Sequence, residues 1–234
     1  MVIYYADPED VIADFLRVRL TDPRARAEAS ESDTFTATAG QTSFTLTPSS
    51  GSVSCITSAT IDAAALTKWR DYYWDYQNQK IVLATAATVG QTVVVTFKYG
   101  STNWIFSDRP DKKLSAINFP RISIFSLSGG GTRLGNYEAE VQGSPILQID
   151  VWTKKDQVFT ISSRKYANNY LGRYLGNQIT YAFEEYISDL FPVLYNYIPI
   201  SIPRAGPYSE EYQAYHTILE VNVRGIKLGR IEYT

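Results

Sequence analysis

Cysteine is nearly missing. Cys55 is the only one in 234 residues, so no internal disulfide and no cysteine zinc cluster can form. Histidine is as scarce, and His216 alone would have to serve any histidine-dependent catalysis. No window approaches the roughly eighteen uninterrupted apolar residues of a membrane-spanning helix. The opening, MVIYYADPED, lacks a basic stretch followed by an apolar run. The expectation is no signal peptide and a protein made and used in a reducing cytoplasm. Neither sign of charge is in excess. With 22 basic and 24 acidic side chains the net charge is −2, which argues against a protein that coats nucleic acid but not against a local basic patch.

What the chain has in plenty is tyrosine, 18 in all, with four tryptophans beside them. A tyrosine offers an apolar face and a polar tip, which suits partly wet interfaces and also serves as filler between sheets. The length suffices for one large domain or a core with one insertion, and the apolar content is that of a folded protein.

The stretch Ser144 to Leu190 organises the rest. In it Leu147, Ile149 and Val151 share one face, while Ile146, Gln148, Asp150 and Trp152 share the other, the mark of a half-buried strand. After a polar turn, Tyr166, Tyr170 and Tyr174 recur every fourth residue. Ala167, Leu171, Leu175, Ile179, Phe183, Ile187 and Leu190 run beside them. This predicts a long helix capped by Ser162 or Ser163 and ended by Pro192. Near the N-terminus, Asp7-Pro8-Glu9-Asp10 starts another helix with Val11, Ile12, Phe15 and Leu16 as its apolar stripe. Arg17, Arg19, Arg24 and Arg26 cluster there, either as a solvated face or as a contact for an acidic partner or phosphate.

Composition shifts near Asp33, and short strand patterns follow to about Gly100. They include Val53–Ile61, Tyr72–Tyr76, Lys80–Leu83 and Val93–Tyr99, which suggests a small all-β sandwich. AGQTSFTL and VGQTVVVTF read as two similar turn-strand corners. This stretch resembles the small β-sandwich modules that decorate structural proteins of tailed phages. Further on, Ile122 to Leu127 reads as a strand, Gly129-Gly130-Gly131 as a hairpin tip, and Leu219, Val221 and Val223 as one face of a late strand. No Gly-Lys-Ser/Thr follows the glycines, so a phosphate-cradling loop is not indicated.

No catalytic set emerges. His216 has no nucleophile-elbow motif near it, and Cys55 reads as a small core residue. Glu184-Glu185, Glu210-Glu211 and the Asp7/Asp10 pair fit helix-face, loop and capping roles better than acid–base catalysis. Asp150 reads as a structural anchor for a neighbouring loop. No cofactor and no metal are expected.

The motifs FPRISIF, SPILQIDVWTKKDQVFTISSRKYANNYLGRYL and HTILEVNVRG resemble the tail terminator or tail completion proteins of long-tailed phages and related archaeal viruses. The resemblance covers about residues 5–30 and 115–225. It implies an α+β fold, an antiparallel or mixed sheet packed against one long helix and an N-terminal helix. Residues 1–32 and 101–234 would form that core and 33–100 the inserted sandwich. It further implies a non-enzymatic virion protein, a homo-oligomeric ring, generally a hexamer. The ring would sit at the head-proximal end of the tail, against the tail tube protein and the neck or connector proteins. Genome DNA would pass through its lumen without specific binding, and no membrane would be involved. Arg121, Ile122, Ile124, Gly129, Gly130, Gly131, Arg133, Leu219, Val221 and Val223 are the candidate interface residues, on sheet margins able to pair between subunits. Other readings are a head-completion or baseplate ring, or a glycan- or host-surface-binding module. The last would use Trp69, Tyr72, Tyr73, Trp74 and Tyr76 as an exposed aromatic patch.

Overall fold

The computed structural model describes residues 8–75, 78–108, 118–128, 131–133, 141–143, 146–190, 200–223 and 226–227. The chain is α+β, with mostly antiparallel strands and, among the described residues, two α-helices. It divides into two compact units, one built on Ala25–Asn103 and the other on Asp7–Arg24 with Trp104–Leu228. Among the described residues no helix is long and apolar enough to cross a membrane.

The first unit holds strands β1 (Ala29–Thr36), β2 (Ser43–Thr45), β3 (Ser52–Ile61), β4 (Ala64–Ala65), β5 (Tyr72–Asp75), β6 (Lys80–Leu83) and β7 (Thr92–Gly100). They form two antiparallel sheets, ordered β1-β7-β3-β4 and β2-β6-β5. The polar sequence of β1 has little strand preference of its own. It is extended because it pairs with β7 along its whole length, from Ala29↔Tyr99 to Thr36↔Thr92. The strand therefore starts before the composition shift at Asp33. One buried cluster draws Phe44, Trp74 and Ile81 from the smaller sheet and Val53, Ile56, Val95 and Phe97 from the larger. Cys55 is buried, as a small core residue would be.

The two Gly-Gln-Thr corners have the same construction. Gly40 and Gly90 take positive φ, and the Gln41 and Gln91 side-chain oxygens accept the N–H of Thr38 (3.0 Å) and Thr88 (2.7 Å). The corners also clasp each other. Ala37 N–H donates to Gln91 O at 2.8 Å and Ala87 N–H to Gln41 O at 2.9 Å. At the far end of the unit, Ser101 N–H donates to Arg26 O at 2.9 Å, so the two ends of this segment lie side by side.

The second unit begins with α1 (Pro8–Arg19), and Val11, Ile12, Phe15 and Leu16 are buried as its spacing predicts. The expected cap, Asp7, lies outside the described residues. The later elements are β8 (Ile105–Phe106), β9 (Arg121–Ser128), β10 (Gly131–Arg133), β11 (Val141–Gly143), β12 (Ile146–Lys154), β13 (Val158–Ile161), β14 (Arg164–Ala167), α2 (Asn168–Tyr186), β15 (Arg204–Ala205), β16 (Ala214–Asn222) and β17 (Ile226–Lys227). A 3-10 turn, Ile187–Leu190, extends α2. The main sheet has the order β15-β16-β12-β9-β8, with only β8–β9 parallel. β12 is its centre. Leu147, Ile149 and Val151 are fully buried, and so are Ile122 and Ile124 of β9 and Leu219 and Val221 of β16.

Helix α2 lies on this apolar face, and two glycines one turn apart let it come close. A β-carbon on Gly172 would sit 2.6 Å from Thr217 Oγ1, and one on Gly176 would sit 2.9 Å from Pro203 Cβ. Phe183 of α2 meets Phe15 of α1 with ring centroids 5.2 Å apart.

The helix starts later than its periodicity predicts. Ser162 and Ser163 do not cap it. Both have positive φ (47° and 66°) and form the two-residue tip of the β13–β14 hairpin, where Ile161 pairs with Arg164. Tyr166 belongs to β14, and α2 begins at Asn168. The Asn168 side chain accepts the Asp156 N–H at 3.1 Å, and its carbonyl accepts Thr153 Oγ1–H at 2.9 Å. The arginines near α1 are not a solvated row. Arg17 is buried and donates to Ile105 O at 3.0 and 2.6 Å and to Asp14 at 3.1 Å. Arg24 Nε donates to Phe119 O at 2.5 Å. Arg19 pairs with Asp189 and lies over the Tyr186 ring, and Arg26 is buried.

Candidate functional site

The face of the main sheet turned away from α2 carries a row of polar side chains, placed there by register. Across the strands, Trp152 stands between Arg121 and His216, and Asp150 between Ser123 and Ile218. Gln148 stands between Phe125 and Glu220. Strand alternation puts all of them on one side. Several are nonetheless buried: Arg121, Ser123, Asp150 and Trp152.

Each end of the row is held differently. Arg121 Nε donates to Ser123 Oγ at 3.0 Å, its Nη2 pairs with Asp108, and its guanidinium lies 3.9 Å from the Phe106 ring centroid. Burial pulls the Arg121 pKa below the ordinary guanidinium value, and Asp108 works against that shift. At the other end, Asp150 Oδ1 accepts Gln148 Nε2–H at 2.7 Å. Its Oδ2 lies 3.7 Å from His216 Nδ1, beyond hydrogen-bond reach. The His216 ring stacks on Trp152 at 4.7 Å, and Tyr212 meets Trp152 edge-on at 5.0 Å. Phe119 and Ala214 complete this cluster. Gly206 closes over the histidine, where a β-carbon would lie 2.1 Å from His216 Nε2. Among the described residues the buried Trp152 Nε1 and His216 Nδ1 atoms have no hydrogen-bond partner.

In this arrangement Ser123 does not stand beside His216. Ser123 and His216 sit on strands separated by β12 and two residues out of register, which puts about 11–12 Å between their backbones. Ser123 is also engaged with Arg121. Asp150, expected to anchor a loop, finds its neighbours on the sheet itself. Among the described residues no group of three histidine, cysteine, aspartate or glutamate side chains could hold a metal ion.

The sequence-derived interface residues fall in several places. Ile122, Ile124, Leu219, Val221 and Val223 are buried, so their side chains belong to the unit's own core. The β16 margin is covered as well. β15 pairs with it at Arg204↔Ile218 and Ala205↔Thr217, and Ser201 N–H donates to Glu220 O at 2.9 Å. Among the described residues the β9 margin pairs with β8 only at Ile122 and Ser123. Beyond them Ser126 N–H is taken by the Glu9 carboxylate of α1. Arg121 points into the polar row. Gly131 and Arg133 lie on β10, which pairs with β11, while Gly129 and Gly130 lie outside the described residues.

The aromatic patch is not a platform. Tyr72 and Trp74 are core residues of the first unit, Trp69 and Tyr73 are half-buried, and Tyr76 lies outside the described residues. The Trp152–His216–Tyr212 cluster was missed from sequence, although the period-two spacing of Gln148, Asp150 and Trp152 marks the strand face that carries it.

No family model, curated protein or solved structure matches this chain.

Proposed function

We propose that the chain is a virion structural protein without enzymatic activity. In this reading it is the subunit of a ring, generally a hexamer, that terminates the tail tube at its head-proximal end and docks to the neck. The observation that supports this is the union of β12 and α2 in one unit, with the glycine face of α2 seated against the sheet that β12 centres. The resemblance rests on the motifs of those two elements together with FPRISIF before them and HTILEVNVRG after them. Residues 25–103 act on this view as a small β-sandwich module carried by the core, a reading favoured by the single apolar cluster shared between its two sheets. The partners are further copies of the chain, the tail tube protein and the neck or connector proteins, with DNA passing through the lumen unread. Ring closure by strand pairing would use the β9 margin after Ser123 and would displace Glu9 from Ser126.

Negative-stain microscopy of the purified protein, alone and with tail tubes, tests the proposal. Rings, or caps on one end of the tubes, are expected. A chain that stays monomeric and leaves tube length unrestricted overturns it. Caps at the end of the tube remote from the head would point instead to a baseplate ring.

A further inference from the structure

The outward face of α2 has three features that belong together. Tyr170 and Tyr181 are 68% and 55% exposed, large values for aromatic rings on a helix in the middle of a fold. Tyr170, Tyr174, Asn177 and Tyr181 follow one another at steps of four, three and four, the spacing of a seam between two helices. At about 100° per residue the three tyrosines fall within about 40° of arc, about 120° round the helix from the buried stripe of Leu171, Leu175 and Ile179. Tyr174 is already held in place, its ring packed on Tyr166 at 4.5 Å. A side chain ordered before contact loses less freedom on binding.

The charges supply the third feature. Arg173 makes the amino end of this surface basic, and Glu184 and Glu185 make the carboxyl end acidic; all three are exposed. This polarity runs against the helix macrodipole, which favours acids at the start and bases at the end. The first turn of α2 has no acid and the last turn no base. A surface that opposes its own dipole and carries opposite charges at its two ends is complementary to a copy of itself turned end for end.

We propose that this face is the docking site for a second copy of the chain, with the two α2 helices antiparallel. A two-fold centred near Asn177 and Gln178 sets Tyr174 beside the Tyr181 of the other copy and the basic end of each surface against the acidic end of the other. The contact is isologous and closed, so it is independent of the ring proposed above, which needs a head-to-tail contact.

Sedimentation equilibrium of the full chain at low ionic strength tests it. The mass should rise with concentration from 26.3 kDa toward twice that value. Glu184→Lys/Glu185→Lys and, separately, Arg173→Glu should each weaken association at least about tenfold, because each sets like charges face to face. The combined variant Arg173→Glu/Glu184→Lys/Glu185→Lys should recover most of it. Tyr170→Ala/Tyr181→Ala should weaken association at any salt concentration. All these side chains are exposed, and circular dichroism verifies that each variant folds. A mass that never exceeds one chain overturns the proposal. So does association that the variants leave unchanged, or a triple variant that fails to recover. Rings that form while no variant-sensitive dimer is seen overturn this contact and leave ring formation standing. A variant-sensitive dimer that never forms rings does the reverse.

Discussion

Gly172→Ala should destabilise this protein, although glycine to alanine inside a helix normally does the opposite. The ordinary gain is about 1 kcal/mol, from alanine's better helix propensity. Here the added carbon would lie 2.6 Å from Thr217 Oγ1 and 3.5 Å from Thr217 Cβ. Relief needs several tenths of an ångström of movement. Thr217 is itself buried and paired with Val151 on the central strand, so it has little room to give. Its β-carbon bears two heavy atoms, and turning it trades one obstruction for another. Overpacking of this kind costs about 1–3 kcal/mol, so the net effect is a loss of about 1 kcal/mol. Thr217→Ala removes the obstructing oxygen. In that background Gly172→Ala should become stabilising by up to about 1 kcal/mol, giving a coupling of about 1–3 kcal/mol between the two sites. Urea unfolding of the four proteins reads this directly as shifts in midpoint at constant slope. If Gly172→Ala raises the midpoint in the wild-type background, the helix does not sit as close to β16 as described and the reasoning fails.

Three further outcomes are expected. Ser162→Asn with Ser163→Gly should stabilise the β13–β14 hairpin by about 1 kcal/mol, because both positions are left-handed and the new pair prefers that turn; a lower Tm would contradict the turn geometry. Trp74→Ala should cost about 3–5 kcal/mol by emptying the core of the first unit; a loss under about 1 kcal/mol would mean that the ring lies at the surface after all. Asp71 accepts two hydrogen bonds from Arg70 and one from Thr67 N–H, which hold its pKa below the ordinary carboxylate range. A depressed pKa stabilises the fold above the unfolded value and ceases to as pH falls through the folded one. The Tm difference between wild type and Asp71→Asn should therefore be present at neutral pH and vanish in strong acid; a difference that grows in acid would contradict the pairing.

The parts of the fold that were readable from sequence are those where one local pattern has one physical meaning. Strict alternation at Leu147, Ile149 and Val151 leaves nothing but a strand with one dry face, and that strand is the centre of the sheet. The stripe of Val11, Ile12, Phe15 and Leu16 likewise has a single helical reading. Where a residue serves two local ends, the pattern misleads. Serine caps helices and also tolerates tight turns, so Ser162 and Ser163 suit either role, and the four-residue spacing of the tyrosines carries a helical pattern back across a hairpin. Alternation in Tyr72–Asp75 sends every second ring inward, yet an unbroken aromatic run looks like a surface. The candidate interface was the hardest part. Whether Leu219 and Val221 lie on a margin depends on a two-residue strand, Arg204–Ala205, too short to leave a pattern. The polar row depends on register across three strands, which no one segment encodes.

The hydrogen bond from Ser101 to Arg26 brings together the two places where the chain joins the segment 25–103. A loop-like cassette with neighbouring ends can be spliced in or cut out of a gene in one recombination event, since the flanking sequence needs only a short bridge in its place. Relatives that lack the segment are therefore a natural expectation, and so are chimaeras that carry a different module at the same two residues.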